Sequence, residues 1–265
     1  MGIKIGRFAV SRLIVIPARL ASSRLPEKPL LKETGKYLIQ HVYEVACRSN
    51  RADRVVIATD DERIMAAARS FGAEARMTRS DHPSGTDRVA EVALALDCDL
   101  IVNLQGDEPQ IDPSSLDLLF DLLDKNPQSP MATLATPIPN EEAYLNPNCV
   151  KVVMDENGRA LYFSRSPIPY YRDSVVTFAM DFPPAWQHLG LYGYRKDFLL
   201  GVGKMAPHPL EKAEKLEQLR VLAHGIPLMV GKVVHKGLGI DTPEEYRAFV
   251  DFCKKNQETA ISKAA

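Results

Sequence analysis

Apolar strands alternate with amphipathic helices in the first half of the chain, and this alternation limits the fold more than any other feature. The runs 13–16, 54–59 and 100–104 are apolar almost throughout, as buried strands are. Apolar residues recur at helical spacing in the segments 37–49, 62–71, 86–96 and 113–123. Apolar strands linked by helices predict a parallel sheet that is covered by helices on both faces.

The pattern changes in the second half of the chain. A turn-rich segment, 155–158, lies between the apolar runs 150–154 and 160–164, which predicts an antiparallel hairpin. A proline-rich loop is expected over 167–186, followed by a helix over 210–223, a strand over 228–234 and a last helix from Pro243. We therefore predict a single α/β domain over 1–256, with a doubly wound, mostly parallel sheet, a β-rich inserted region over about 140–190 and a polar tail over 257–265.

Composition excludes several classes of protein. The 265 residues carry a formal net charge of −1, so no overall positive field attracts nucleic acid or a membrane surface. No apolar run approaches the roughly 20 residues that a membrane-spanning helix needs. The N-terminal segment does not fit a signal peptide, and the four cysteines are far apart and form no CxxC pair. We expect a cytoplasmic protein with reduced cysteines.

Three basic residues, Arg19, Arg24 and Lys28, follow the first predicted strand within one loop. Because the chain has no general basic excess, this local cluster suggests a polyanionic ligand such as a triphosphate. The alternative is a solvated surface loop that happens to contain three cations.

Two aspartates lie in glycine-containing turns at the ends of predicted elements. Asp107 belongs to the segment 105–109, which directly follows the strand 100–104, and Asp241 lies in a glycine-flanked turn before the last helix. Ligands of open α/β sheets bind beyond the carboxyl ends of strands, where one or two carboxylates are a usual protein contribution to Mg²⁺ binding. The alternatives are local ones: Asp107 caps nearby amides, and Asp241 is the N-cap of its helix.

A further segment, 82–88, contains Ser84 and Gly85 at a predicted helix start, where free amides suit an anion or a base edge. Plain helix capping is the alternative. The chain lacks the P-loop, the GxGxxG fingerprint, the GxSxG elbow and the HExxH motif. This combination favours a nucleotidyltransferase over a dehydrogenase or an ATPase.

Nine segments, in order along nearly the whole chain, resemble the 3-deoxy-manno-octulosonate (Kdo) cytidylyltransferase family. They are IPARLASSRLPEKPL (16–30), SGTDR (84–88), VNLQGDEP (102–109), MATLATPI (131–138), NPNCVKVV (146–153), ALYFSRSPIP (160–169), HLGLYGYR (188–195), PLEKAEKLEQLR (209–220) and GIDTPEE (239–245). The resemblance implies a fold like that of nucleotide-diphospho-sugar transferases. It also implies a reaction of lipopolysaccharide synthesis, in which CTP and Kdo give CMP-Kdo and pyrophosphate with Mg²⁺.

The resemblance assigns site residues by position. Arg19, Arg24, Lys28, Ser84 and Gly85 match nucleotide-binding positions, and Asp107 and Asp241 match the metal-binding aspartates. Of these, Arg19, Lys28, Asp107 and Asp241 are the expected catalytic residues. The positions that match the sugar-acid pocket are Gln105, Arg165, His188, Tyr192, Glu217 and Gln218.

Within the pocket, Arg165 is expected to pair with the carboxylate of Kdo, and His188 to donate or accept a hydrogen bond rather than act as a base. The family also implies a homodimer, with the region 166–190 as a candidate interface that includes Tyr170 and Tyr171. The stretch 173–187 matches no family segment. Three alternatives stay open: a related acceptor such as 8-amino-Kdo, a glycosyltransferase of the same sheet architecture, and a nucleotide sensor without turnover.

Overall fold

The apolar runs of the sequence form the central strands of one mixed sheet. The computed structural model describes residues 10–21, 24–173, 178, 185–234 and 239–264, with side chains through Asn256. The strands are β1 (Arg12–Ala18), β2 (Arg54–Thr59), β3 (Ala75–Met77), β4 (Leu100–Asn103), β5 (Met131–Pro137), β6 (Lys151–Met154), β7 (Ala160–Ser164), β8 (Trp186–Arg195) and β9 (Leu228–Lys232). Their order across the sheet is β3-β2-β1-β4-β8-β5-β9.

Helices connect these strands and cover both faces of the sheet. They are α1 (Leu38–Ala46), α2 (Glu62–Ser70), α3 (Gly85–Leu94), α4 (Pro113–Lys125), α5 (Glu141–Leu145), α6 (Lys196–Val202), α7 (Pro209–Glu214), α8 (Gln218–Ala223) and α9 (Pro243–Ala264). Strand β8 runs antiparallel to β4 and β5, whereas β1 is parallel to both β2 and β4. The predicted doubly wound, mostly parallel α/β sheet is confirmed.

The central strand β1 shows why the fold needs helices on both faces. Ile14 and Ile16 pack into the core formed with α1, α2 and α4, whereas Leu13 and Val15 pack into the core formed with α3, α6 and α8. All four side chains are at most 2% exposed. Alternate residues of a strand point to opposite faces, so a run that is apolar at every position is buried on both sides.

Two strands were not predicted from the sequence. β5 and β8 both lie within the central sheet, and β8 also pairs with β6 through Lys151–Gln187 and Val152–Trp186. The predicted hairpin, β6 and β7, is therefore continuous with the central sheet through β8. The predicted loop over 167–186 falls partly outside the described residues.

The prediction of one helix over 210–223 was wrong in one respect, because the structure has two helices there, α7 and α8. Lys215, between them, has a left-handed backbone with φ of 54°. This break changes the direction of the chain just before Glu217 and Gln218, which line a cavity as a result. Among the described residues, no helix combines the length and apolarity needed to cross a bilayer.

Candidate active site

The site lies where the strand order of the sheet reverses. β1 has β2 on one side and β4 on the other, and ligands of open α/β sheets bind in the crevice at such a point. A cavity of about 320 Å³ opens there, beyond the carboxyl ends of β1 and β4. Its lining contains six of the residues predicted from the sequence: Arg19, Arg24, Lys28, Gly85, Gln105 and Asp107.

The close approach of β1 and the loop after β4 requires glycine at position 106. A Cβ atom on Gly106 would lie 3.0 Å from the carbonyl oxygen of Pro17 and 3.4 Å from Cδ1 of Ile39. A larger residue would therefore push the 105–109 loop away from β1. Gly106 thus sets the distance between the basic loop and Asp107.

Lys28 joins the two aspartates that the sequence analysis singled out. Its Nζ atom lies 2.7 Å from Oδ2 of Asp107 and 3.0 Å from Oδ1 of Asp241. Arg24 contacts the other oxygen of Asp241, Oδ2, at 2.9 Å. Burial alone would lower the pKa of Lys28, but the charges and hydrogen bonds of the two aspartates outweigh it and raise that pKa. Lys28 is therefore held between two carboxylates, whereas Arg19 and Arg24 stay exposed to solvent.

The neighbours of Asp241 show that its carboxylate does not cap helix α9. Thr242 Oγ1 accepts a hydrogen bond from the amide of Glu245, so Thr242 caps helix α9. Glu245 Oε2 in turn accepts from the amides of Asp241 and Thr242 at 2.7 and 2.9 Å. This capping box leaves the Asp241 carboxylate to face Lys28 and Arg24.

Glu108, which the sequence analysis did not select, adds a third carboxyl group beside the aspartates. Burial and the charges of Asp107 and Asp241 raise its pKa to about 8, and Lys28 opposes this shift. A Cβ atom on Gly239 would lie 3.2 Å from Glu108 Oε1, so this carboxyl group packs against the turn that carries Asp241. Its position next to Asp107 was the signal that could have identified it.

The donor set fits a divalent cation. Two carboxylates from separate segments converge on one cationic group, and hard cations such as Mg²⁺ take carboxylate oxygens together with water and phosphate oxygens. No cluster of three or more histidine, cysteine, aspartate or glutamate ligands occurs among the described residues. Asp107 and Asp241 would hold such an ion with help from the substrate's phosphates.

At the start of α3, Ser84 does act as a helix cap. Its hydroxyl accepts from the amide of Asp87 at 3.2 Å and donates to the Asp87 carboxylate at 2.6 Å. Gly85 still lies beside the cavity, since a Cβ there would be 3.6 Å from Pro17 Cγ and 3.9 Å from Gln105 Oε1. Ser84 therefore caps helix α3, and the capped helix start lies beside the cavity.

A second cavity, of about 280 Å³, is lined by Ser84, whereas the adjacent Gly85 lines the first cavity. Ser84, Asp87, Tyr192, Glu217 and Gln218 are among its lining residues. Burial, followed by the charge of Asp87, raises the pKa of Glu217. The Nε2 atom of Gln218 is buried, and it has no hydrogen-bond partner among the described residues. A buried amide of this kind is typical of a site completed by a polar ligand.

Two predicted pocket residues lie elsewhere. The lining of these two cavities, as described, contains neither Arg165 nor His188. Arg165 donates from its guanidinium to the carbonyl oxygens of Glu214 at 2.7 Å and Pro147 at 3.0 Å, which ties β7 to the α7–α8 corner. Arg165 therefore supports the segment that carries Glu217 and Gln218.

His188 lies in the core behind Tyr192, with 5.4 Å between ring centroids. Burial lowers the pKa of His188 to about 3, so its ring is neutral near pH 7. The hydroxyl proton of Thr133 goes to a carbonyl oxygen, that of Leu191 at 2.7 Å, so this hydroxyl accepts from Nε2 of His188 at 2.9 Å. His188 is thus a neutral hydrogen-bond donor at Nε2.

The family model described as "Cytidylyltransferase" matches residues 13–231. This stretch contains every strand except the first residue of β1 and the last residue of β9, and every predicted site residue except Asp241. The fold and this match define the class of the protein as a nucleotidyltransferase.

Relatives with known names narrow the class. A 3-deoxy-manno-octulosonate cytidylyltransferase of Syntrophotalea carbinolica is 50% identical over 234 residues, which are 87% of this chain and 94% of that protein. The protein of the same name from Rhodopirellula baltica is 47% identical over 240 residues, 89% of this chain and 96% of its own length. The chain belongs to the 3-deoxy-manno-octulosonate cytidylyltransferase family, as the nine sequence segments predicted.

A solved structure agrees with this assignment. The structure of CMP:2-keto-3-deoxy-manno-octonic acid synthetase complexed with CTP superposes with a TM-score of 0.87 at 42% identity. The match covers 93% of this chain and 99% of that one.

Proposed function

We propose that this protein transfers the cytidylyl group of CTP to Kdo and releases pyrophosphate, a step of lipopolysaccharide synthesis. The observation that carries the proposal is the convergence of Arg19, Arg24 and Lys28 with Asp107 and Asp241 at the switch point of the sheet. The named relatives, and the related structure that contains CTP, support the choice of nucleotide and acceptor.

The reaction joins the anomeric C2 hydroxyl of Kdo to the α-phosphorus of CTP. The new oxygen–phosphorus bond forms as the bond from the α-phosphorus to the bridging oxygen breaks, and pyrophosphate departs with that electron pair. The hydroxyl gives up its proton to solvent water. Such transfers depend on positioning and charge neutralisation far more than on covalent help from the protein.

The cations of the basic loop neutralise the triphosphate. The guanidinium groups of Arg19 and Arg24 can each bind two phosphate oxygens, whereas Lys28 acts as a point charge. Because negative charge grows on the leaving pyrophosphate, these cations stabilise the transition state more than the ground state. Asp107 and Asp241 would hold Mg²⁺, which would supply further neutralisation and lower the pKa of the attacking hydroxyl.

The second cavity supplies a place for the sugar acid. Tyr192, Glu217 and Gln218 line it together with Ser84, whose neighbour Gly85 lines the first cavity. Hydroxyl groups of the acceptor suit the Glu217 carboxylate and the Gln218 Nε2 atom, which has no partner among the described residues. Gln105 lines the first cavity beside Gly85 and would contact the acceptor near the bond that forms. The roles of Arg165 and His188 toward the acceptor stay predictions.

The proposal extends to the assembly and location of the enzyme. Tyr170 is 85% exposed and Leu161 is 61% exposed, close to the predicted interface, and large exposed apolar groups of this kind suit a homodimer contact. An enzyme that consumes CTP works where nucleoside triphosphates are made, which is the cytoplasm. The four free cysteines are in keeping with that reducing compartment.

The deciding experiment is pyrophosphate release from CTP in the presence of Mg²⁺ and one of three acceptors: Kdo, 8-amino-Kdo or sialic acid. Release with Kdo and CTP, but not with ATP, supports the proposal. Greater release with 8-amino-Kdo than with Kdo would identify 8-amino-Kdo as the acceptor and would leave the cytidylyl transfer unchanged. Binding of CTP without release under any of these conditions would identify a nucleotide sensor instead, and consumption of CMP-Kdo would identify a glycosyltransferase.

A further inference from the structure

Lys28 occupies the meeting point of the two proposed metal ligands. Its ammonium group contacts Oδ2 of Asp107 at 2.7 Å and Oδ1 of Asp241 at 3.0 Å, and Arg24 takes Oδ2 of Asp241 at 2.9 Å. Three of the four carboxylate oxygens are thus bound by cationic side chains. A divalent cation that used the same oxygens would have to displace them.

The aspartates are fixed in the backbone, whereas Lys28 can leave. The amide of Ile240 donates to the carbonyl oxygen of Asp107 at 2.9 Å, and the amide of Asp241 is held by Glu245 at 2.7 Å. Lys28 reaches the carboxylates through a side chain with four rotatable bonds, from the short 3₁₀ helix Lys28–Leu30. A change of ligand at this point therefore moves the lysine rather than the carboxylates.

A triphosphate is the group that can draw Lys28 away. The ammonium group and Asp107 line the same cavity, together with Arg19 and Arg24. Phosphate oxygens placed there would compete with the two aspartates for Lys28. The same phosphate oxygens neutralise Arg19, Arg24 and Lys28, whose positive charges would otherwise repel a divalent cation.

We propose that Lys28 blocks the metal site until a polyphosphate releases it, so that divalent-cation binding and triphosphate binding strengthen each other. This inference rests on the proposed function, because it uses the same aspartates and the same triphosphate. Linkage requires the effect to be reciprocal: the cation promotes triphosphate binding by the same factor as the triphosphate promotes cation binding.

Lys28 also distinguishes nucleotides by the number of their phosphate groups. A nucleoside monophosphate lacks the β- and γ-phosphates that would attract Lys28, so CMP leaves the block in place. Inorganic pyrophosphate carries the needed charge without a base. Lys28 thereby favours a triphosphate over a monophosphate before any chemistry takes place, and it returns to the aspartates when pyrophosphate leaves.

The test measures Mn²⁺ binding to the full chain, without nucleotide or acceptor, from the electron paramagnetic resonance signal of free Mn²⁺. Lys28→Met removes the competing charge, and we expect it to bind Mn²⁺ about tenfold more tightly than the unaltered protein, within the usual range of coupling between sites. Lys28→Arg keeps the charge and should bind Mn²⁺ weakly. Lys36→Met is the matched control, because it removes the same charge from an exposed pair with Glu44.

Two further arms make the result specific. Adding Asp107→Asn to Lys28→Met should abolish the gain in Mn²⁺ affinity, which places that gain at this site. Adding pyrophosphate should strengthen Mn²⁺ retention by the unaltered protein much more than CMP does, and this difference should be small in Lys28→Met. Because pyrophosphate itself binds Mn²⁺, this arm counts the metal retained with the protein in equilibrium dialysis. Lys28→Gln replaces Lys28→Met in every arm if the methionine variant does not fold.

Equal Mn²⁺ affinity in Lys28→Met and the unaltered protein would overturn the inference. That outcome is separate from a failure of the proposed function, since no arm contains CTP and acceptor together. If the unaltered protein turns over Kdo normally but Lys28→Met gains no Mn²⁺ affinity, the blocking role of Lys28 is wrong and the proposed function stands. If Lys28→Met gains Mn²⁺ affinity but the unaltered protein does not turn over Kdo, the blocking role stands and Kdo is not the acceptor.

Discussion

The amide of Ile240 donates a hydrogen bond to the carbonyl oxygen of Asp107 at 2.9 Å, which links the loop after β4 to the turn before α9. This backbone bond places Asp241 beside Asp107 without using either carboxylate. Neither side chain is needed for this connection, so the loss of either carboxylate leaves the two segments joined.

Asp107→Asn and Asp241→Asn should each lower turnover by at least about a hundredfold, because each removes one negatively charged ligand from the proposed magnesium site. Pyrophosphate release measures the loss, and thermal unfolding should show that the fold persists. Asp251→Asn, an exposed position on α9, is the control and should keep full activity. Near-normal turnover in either site variant would remove that aspartate from the metal site.

Arg19→Ala should raise KM for CTP by about tenfold or more while KM for Kdo changes little. The reason is the loss of a charge-assisted contact to phosphate, in a side chain that also donates to the carbonyl oxygen of His82 at 3.1 Å. Steady-state kinetics with each substrate varied in turn measure the two constants. Arg247→Ala, on the surface of α9, serves as the matched control. A larger change for Kdo than for CTP would reassign the loop to the sugar acid.

Gln218→Leu should stabilise the protein and weaken acceptor binding at the same time. The variant removes a buried amide nitrogen that has no partner among the described residues, and such a group costs about 1–3 kcal/mol. We expect a higher thermal midpoint together with a higher KM for Kdo and an unchanged KM for CTP. A lower midpoint with unchanged KM for Kdo would show that Gln218 is a core residue without a substrate role.

His188 should lower the stability of the protein as the pH drops from 7.5 to 5, whereas Glu108, whose pKa is raised, acts in the opposite direction. Burial holds the pKa of His188 at about 3 in the folded protein, against about 6.5 when unfolded. The unfolded chain then binds more protons between these values, so His188 costs about 2 kcal/mol of unfolding free energy at pH 5. His41, whose pKa burial also lowers, adds to the same slope.

Denaturant unfolding at the two pH values measures this slope. Compared with the unaltered protein, His188→Gln should gain about 2 kcal/mol of unfolding free energy between pH 7.5 and pH 5, and His224→Gln, at an exposed position, should gain none. An equal slope in His188→Gln and the unaltered protein would show that His188 is not the group that titrates on unfolding.

Light scattering should report twice the mass of one chain at micromolar concentration. Tyr170→Asp together with Leu161→Asp should shift the protein toward the monomer, because charges would be placed in the predicted contact. A stable monomer of the unaltered protein would contradict the homodimer.

Periodicity alone was enough to predict the layered sheet around β1, β2 and β4, because a strand buried on both faces must be apolar at every position. It did not reveal β5 and β8. β5 mixes small, polar and apolar residues, and β8 carries His188 and Tyr192 among glycines and other aromatic residues, so neither strand is a continuous aliphatic run. Such strands form because they pair with segments that are far away in the chain, and a single sequence does not show this pairing.

The sequence by itself determined the kinds of group at the site: three cations after one strand, an aspartate after another, and a second aspartate before the last helix. Tertiary structure decided what each group faces. Thr242 rather than Asp241 caps α9, Lys28 lies between the two aspartates, and Arg165 is held by backbone carbonyls. The physical reason is that charge and spacing specify which interactions a side chain can make, whereas partners distant in the chain become available only when the sheet brings their segments together.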